Sequence, residues 1–165
     1  MKSVTVTQDI DQSASSLWLT LRDFGAVARW NPNLKDSHLL AGSPACGVGA
    51  TRHCDLADGR NYIRERIVTW EEGRSYTVDI YDGTMPLKSA LATLTVEPLG
   101  PSRARAAMRL EYLPKFGALG WLLDVVMLRR MLRRQCEQVL QGLAARPDVP
   151  TAAPVTVRGA PDGGR

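Results

Sequence analysis

Across residues 34–112 apolar and polar side chains alternate with period two, and a turn signal interrupts the alternation roughly every ten residues. The interruptions are Gly42-Ser43-Pro44, Asp58-Gly59, Glu71-Glu72-Gly73, Asp82-Gly83 and Leu99-Gly100-Pro101. Such spacing leaves no room for the crossover helices that parallel strands require, so the segment must fold as an antiparallel meander. It predicts strands over 34–41, 49–57, 60–69, 74–81, 89–97 and 103–112.

The flanks complete the layout. Residues 3–10 alternate as a half-buried strand, and Ser13-Ala14-Ser15-Ser16 offers an N-cap to a short amphipathic helix carrying Leu17, Trp18, Leu21 and Phe24. Residues 25–29 can add one more turn before Trp30-Asn31-Pro32, where the proline drives its predecessor out of the helical region. After Pro114 and Gly117 one long helix is expected over 118–144, with Leu122, Val125, Leu128, Leu132, Cys136, Val139 and Leu143 on one stripe. Residues 147–165 are Pro-, Ala- and Gly-rich without periodicity and read as a flexible tail, leaving one domain over 1–146. The class is therefore α+β: a bent antiparallel sheet of about seven strands wrapped round a long C-terminal helix, with short helices after the first strand.

Composition removes several functions. With 44% hydrophobic and 23% charged residues in 165, the chain is neither collagen-like, coiled-coil nor disordered. A net charge of +4 is too small to imply nucleic acid, and basic and aromatic residues do not interleave on one strand face. Cys46, Cys54 and Cys136 form neither a disulfide framework nor a CxxC metal motif, which suits a reducing cytoplasm. The polar alternation at the start contains no signal-peptide core, and the apolar stretch 119–128 is interrupted by Asp124 and too short to cross a bilayer. His38 and His53 fall on different strands, against a His-based metal site or a Ser-His-Asp triad. With no glycine-rich phosphate loop or dinucleotide fingerprint, neither metal nor cofactor is expected.

The Asp58-Gly59 pair between two alternating runs is a strong hairpin signal, and it sets a register. With Ala57 opposite Arg60, Cys54 faces Ile63, Arg52 faces Glu65 and Ala50 faces Ile67. Ala50, Cys54, Leu56, Ile63 and Ile67 share one apolar face, so parity puts Arg52 and Glu65 inside with them, while His53, Asp55, Arg64 and Arg66 point outward. Three roles stay open for the inward pair: contact with a polar ligand group, a structural ion pair, or acid and base catalysis. The same reasoning around Gly100-Pro101 sets Val96 against Ala106, Leu94 against Met108, Ala92 against Leu110 and Ala90 against Tyr112. The small residues on that face leave volume unfilled, as a cavity wall does. Tyr76, Val78 and Ile80 share a parity, making Tyr76 and Tyr112 candidates to turn hydroxyls inward, with Tyr62 on the opposite parity of its strand.

In order along the chain, several short motifs resemble the helix-grip superfamily of polyketide cyclases/dehydrases, START-related lipid-transfer domains and plant-allergen-like ligand binders. They are Val4-Thr5-Val6, Ser15-Ser16-Leu17-Trp18, Asp23-Phe24 with Trp30-Asn31-Pro32, Gly49-Ala50-Thr51-Arg52, Glu65-Arg66-Ile67, Tyr76-Thr77-Val78 and Tyr112-Leu113-Pro114-Lys115. The resemblance covers about residues 3–144 and implies a ligand cavity between helix and sheet, but no single reaction.

The candidate ligand-contacting residues are accordingly Trp30, Arg52, Cys54, Ile63, Glu65, Tyr76, Val78, Ala92, Met108, Leu110, Tyr112, Leu122 and Val125. Trp30 serves either a portal or a plug at the end of the core, and Met85-Pro86 lies on a loop able to gate entry. Arg129, Arg130, Arg133 and Arg134 form a basic strip that is either solvated or laid on a membrane surface or acidic partner, and 121–128 is apolar almost all round. The leading expectation is a binder of a lipid- or polyketide-like hydrophobic or aromatic molecule, as monomer or homodimer. A cyclase, aromatase or dehydratase and a protein-binding module are the alternatives.

Overall fold

The computed structural model describes residues 1–115 and 127–147. Strand β1 (Lys2–Ile10) leads into helix α1 (Ala14–Arg22) and a 3-10 turn (Phe24–Arg29). Six strands follow: β2 (Leu34–Leu39), β3 (Thr51–Leu56), β4 (Tyr62–Glu71), β5 (Ser75–Gly83), β6 (Leu87–Gly100) and β7 (Arg103–Pro114). Helix α2 (Arg129–Ala144) closes the described fold.

The strands form one seven-stranded sheet in the order β1-β7-β6-β5-β4-β3-β2, every neighbour antiparallel. The meander is thus as the alternation predicts, with the N-terminal strand added beyond β7. Differences lie at the ends. Strand β3 begins at Thr51 instead of 49, because Gly47 and Gly49 before it adopt positive φ, a turn conformation. Strand β6 runs on to Gly100, because the turn into β7 takes only Pro101 and Ser102, and β7 runs on to Pro114, which pairs with Leu87 at the start of β6. The pairing of β4 with β5 slips at Arg64/Glu65 and at Ile67/Thr69, two bulges that bend the sheet next to Glu65.

Packing follows the two periodicities. Val4, Val6 and Ile10 of β1 are buried on one parity, and α1 buries Leu17, Trp18 and Leu21 after the Ser13 hydroxyl accepts from the Ser16 N–H at 3.2 Å. A carboxylate staples α1 to the β4–β5 turn: Trp18 Nε1 donates to Glu72 Oε1 at 2.8 Å and Trp70 Nε1 to Glu72 Oε2 at 3.0 Å. The two indoles lie 5.0 Å apart, and Trp70 stacks on Tyr76 at 5.8 Å.

Helix α2 buries Leu132, Cys136, Val139, Leu140 and Leu143 against β1 and β7, the stripe expected from the sequence plus Leu140. Buried Gln12 meets the end of the helix: its Nε2 donates to the Ala144 carbonyl at 3.3 Å and to that of Arg146, just beyond the helix, at 2.5 Å. Of the long helix expected over 118–144, the part before 127 lies outside the described residues, together with Leu122, Val125 and the tail from 148 onward. Among the described residues no helix is long and apolar enough to cross a membrane.

Candidate functional site

The β3–β4 hairpin has the register that the Asp58-Gly59 turn dictates: Cys54 pairs with Ile63, Arg52 with Glu65, and Thr51 with Arg66. Gly59 sits at φ 68°, where a side chain would be strained, and the Asp58 carboxylate accepts from the N–H groups of Arg60 and Asn61 at 2.9 Å each. Turn and alternation together deliver two charged side chains to the face that packs on the rest of the core. Arg52 is 4% exposed and Glu65 5%.

Burying them is tolerable because they satisfy each other. Arg52 Nε donates to Glu65 Oε2 at 2.5 Å, another guanidinium nitrogen donates to the Phe24 carbonyl at 2.8 Å, and the guanidinium carbon stands 3.9 Å over the Phe24 ring centroid. Cys54 Sγ donates to the same Glu65 oxygen at 3.7 Å. Burial works against the Arg52 charge, but Glu65 beside it, helped by Cys54 and Tyr76, outweighs that and holds its pKa above the ordinary value. Burial, reinforced by the Glu65 charge, pushes the Cys54 thiol up, so it is a neutral thiol and no thiolate nucleophile. The Tyr76 hydroxyl, 1% exposed and coupled to the same pair, is pushed up to about 12, chiefly by burial.

Between the sheet and α2 opens a cavity of about 390 Å³. Its described wall takes Ile63 and Glu65 from β4, Ile80 from β5, Leu87 and Ala92 from β6, and Met108 and Leu110 from β7. Helix α2 contributes Leu132, Gln135, Cys136, Gln138 and Val139, while the segment after the 3-10 turn contributes Asn31, Pro32, Asn33 and Leu34. Leu56, Ala57 and Asp58 at the hairpin and Met85 on the β5–β6 loop complete it. The size falls within the roughly 300–1,000 Å³ common for small-molecule sites.

Five of the residues singled out from the sequence stand in this wall: Ile63, Glu65, Ala92, Met108 and Leu110. Arg52, Cys54, Tyr76, Val78 and Tyr112 face inward as parity requires, yet they are buried in the core and do not belong to the described wall. For Arg52 the reason is local, since its donors are directed to Phe24 and Glu65. Trp30 is buried, with its backbone carbonyl against Gly142 of α2, and does not belong to the described wall, although Asn31 and Pro32 beside it do. Leu122 and Val125 lie outside the described residues.

Asn31, Asn33, Gln135 and Gln138 supply most of the polar wall; Asn31 was read from the sequence as part of the Trp30-Asn31-Pro32 loop, and the other three were not singled out. The signal for Gln135 and Gln138 was available, since they flank Cys136 and Val139 at the edge of the apolar stripe, where a helix residue borders rather than fills the core. Asn33 is fixed by donating Nδ2 to the Gln135 carbonyl at 3.0 Å, which ties this segment to α2. Outward-facing His53 stacks between His38 at 5.3 Å and Tyr62 at 5.2 Å on the opposite side of the sheet, away from the cavity. Among the described residues no group of His, Cys, Asp or Glu is arranged to hold a metal ion.

Comparison with known proteins agrees with this geometry. The family model for polyketide cyclase/dehydrase and lipid transport matches residues 1–147. No curated protein matches the sequence. Among solved structures, a START superfamily protein from Mycobacterium smegmatis superposes with a TM-score of 0.71 at 19% identity, covering 86% of this chain and 94% of that one. A protein from Thermus thermophilus gives 0.70 at 16% identity over 87% and 94%. The protein XoxI from Bacillus cereus gives 0.68 at 20% identity over 88% and 97%. At these identities the likeness is one of fold: a START-like helix-grip.

Proposed function

We propose, starting from the fact that the chain belongs to the polyketide cyclase/dehydrase and lipid-transport family, that it holds a small hydrophobic or aromatic molecule between its sheet and α2. The observation that carries this is the 390 Å³ cavity between the sheet and α2, whose apolar wall includes Ile63, Ile80, Ala92, Met108, Leu110 and Val139. Apolar side chains that face open space lack the contacts a close-packed interior has, and a bound ligand supplies them. The family description speaks of both catalysis and carriage, and the chemistry of the described wall is that of a container with two carboxylates, Glu65 and an Asp58 already bonded within its own hairpin. Three free cysteines suit a reducing, cytoplasmic setting for this function.

The test is a thermal-shift screen of the full chain against fatty acids, isoprenoids and aromatic polyketides, paired with native mass spectrometry of freshly purified protein. A ligand at a hundredfold excess over its Kd stabilises by about 2.7 kcal/mol. Ala92→Leu, which adds bulk to the middle of the wall, should abolish that gain in a chain that still unfolds cooperatively. A full screen without a stabilising compound, together with a native mass equal to that of the bare chain, would defeat the proposal.

A further inference from the structure

The charged pair is asymmetric with respect to the cavity. Glu65 belongs to the wall and Arg52 does not. Every bond Glu65 makes among the described residues ends on Oε2, which accepts from Arg52 Nε and Cys54 Sγ, and Oε1 accepts none. Arg52 is committed elsewhere, to Oε2, to the Phe24 carbonyl and to the Phe24 ring. The other polar groups of the wall are Asn31, Asn33, Gln135, Gln138 and Asp58, with the Asp58 carboxylate already turned to its own hairpin. The described wall contains no lysine, arginine or histidine, and the sequence 116–126 contains none either.

We infer that the cavity recognises its ligand through a hydrogen-bond donor, a hydroxyl or an amine set against Glu65, and that it rejects carboxylates. This rests on the ligand-binding proposal above and narrows it. An acceptor shielded from water forms a stronger bond with a donor than water would leave it, and a bond to a charged group is among the strong ones. A carboxylate head would surrender its hydration, meet Glu65 as a like charge, and find no cation in compensation among the described residues of the wall. The ligand class is therefore an apolar or aromatic alcohol, phenol or amine. Fatty acids fall outside it.

The experiment uses four probes that share one ring system: naphthalene, naphthol, naphthylmethylamine and naphthoate, titrated calorimetrically into the full chain at neutral pH. Naphthol or the amine should bind at least about tenfold more tightly than naphthalene, as one charge-assisted hydrogen bond provides. Naphthoate should bind more weakly than naphthalene. The ordering between naphthol and the amine tells which donor is preferred. In the double variant Arg52→Met with Glu65→Leu, which removes both charges and leaves neither unpaired, naphthol and naphthalene should bind equally. If naphthoate binds as tightly as naphthol, or the double variant keeps the preference for naphthol, the donor rule is wrong and ligand binding stands. If none of the four binds, naphthalene included, the donor rule is overturned, while the ligand-binding proposal stands or falls by the screen and native mass above.

Discussion

Arg52 and Glu65 stand directly opposite each other across the β3–β4 hairpin, Nε 2.5 Å from Oε2, with both side chains almost sealed from solvent. The pair does more than neutralise itself. Through the Phe24 carbonyl, Arg52 ties the hairpin to the 3-10 turn after α1, and through the cavity wall Glu65 ties it to the space beneath α2. One ion pair therefore couples three parts of the fold that are distant in sequence, at a point where an unpaired charge would be costly.

Replacing Glu65 by Gln should destabilise the protein strongly, on the order of 3–5 kcal/mol, because Arg52 would stay buried without its counter-ion. Arg64→Gln on the same strand, an exposed residue paired with exposed Asp82 at 3.3 Å, should cost no more than about 0.5 kcal/mol. Arg52→Met combined with Glu65→Leu should recover much of the loss. Urea unfolding of the four proteins checks all three statements, and equal midpoints for the two Gln variants would contradict the role given to the pair.

Alkaline pH should unfold the protein in a defined window. Burial pushes the Cys136 thiol up from 9.0 to about 11 and the Tyr76 hydroxyl up from 10.0 to about 12. Each is a group whose folded-state pKa is raised, so its contribution is fully present below the unfolded value and is lost as pH climbs through the folded one. Stability should hold up to about pH 9 and decline above it, with Cys54, whose buried thiol is also pushed up, adding to the loss. Tyr76→Phe should flatten the upper part of that decline. Thermal melts across the range measure it, and a melting temperature unchanged at pH 12 would be the contrary result.

Acid should release the tryptophan staple. The indole N–H of Trp18, then that of Trp70, hold the Glu72 carboxyl below its ordinary value of 4.5. A depressed folded-state pKa gives stability that is present above the unfolded value and is lost as pH falls through the folded one, which places the loss below about pH 4.5. Glu72→Gln should lessen the drop in urea midpoint in this range and leave Asp9, depressed by Arg105, and Asp58, depressed by the backbone N–H of Arg60 and by Asn61, to account for much of what remains. An identical acid limb in the variant would show that Glu72 contributes nothing there.

Gly142→Ala should destabilise, against the usual sign. In a helix interior Ala is favoured over Gly by about 1 kcal/mol. Here a Cβ at 142 would collide with the Trp30 carbonyl and with Pro32, backbone and ring that cannot swing away. The expected loss is on the order of 1–3 kcal/mol, the usual range for overpacking. A rise in melting temperature would mean that α2 is free to move off Trp30.

Much of this protein is decided within short stretches of chain. Asp58-Gly59 marks the hairpin, the position of the hairpin sets the register, and period-two alternation then puts Arg52 and Glu65 on the inner face, with no knowledge of anything beyond residue 67. The stripe Leu132, Cys136, Val139 and Leu143 is likewise legible from a 3.6-residue period, and the helical period itself aims it inward. Parity settles which face a side chain takes, but it is silent on what stands opposite. That Arg52 turns to the Phe24 carbonyl, that Glu65 alone of the pair reaches the cavity, and that Gln135 and Asn33 close its wall depend on segments brought together from 28 to 102 residues apart. Gln12, bonding the end of α2 from 132 residues away, is the extreme case. Local preferences act through backbone sterics and the period of the element; which donor meets which acceptor is decided only when packing sets the distance between elements and water is excluded from between them.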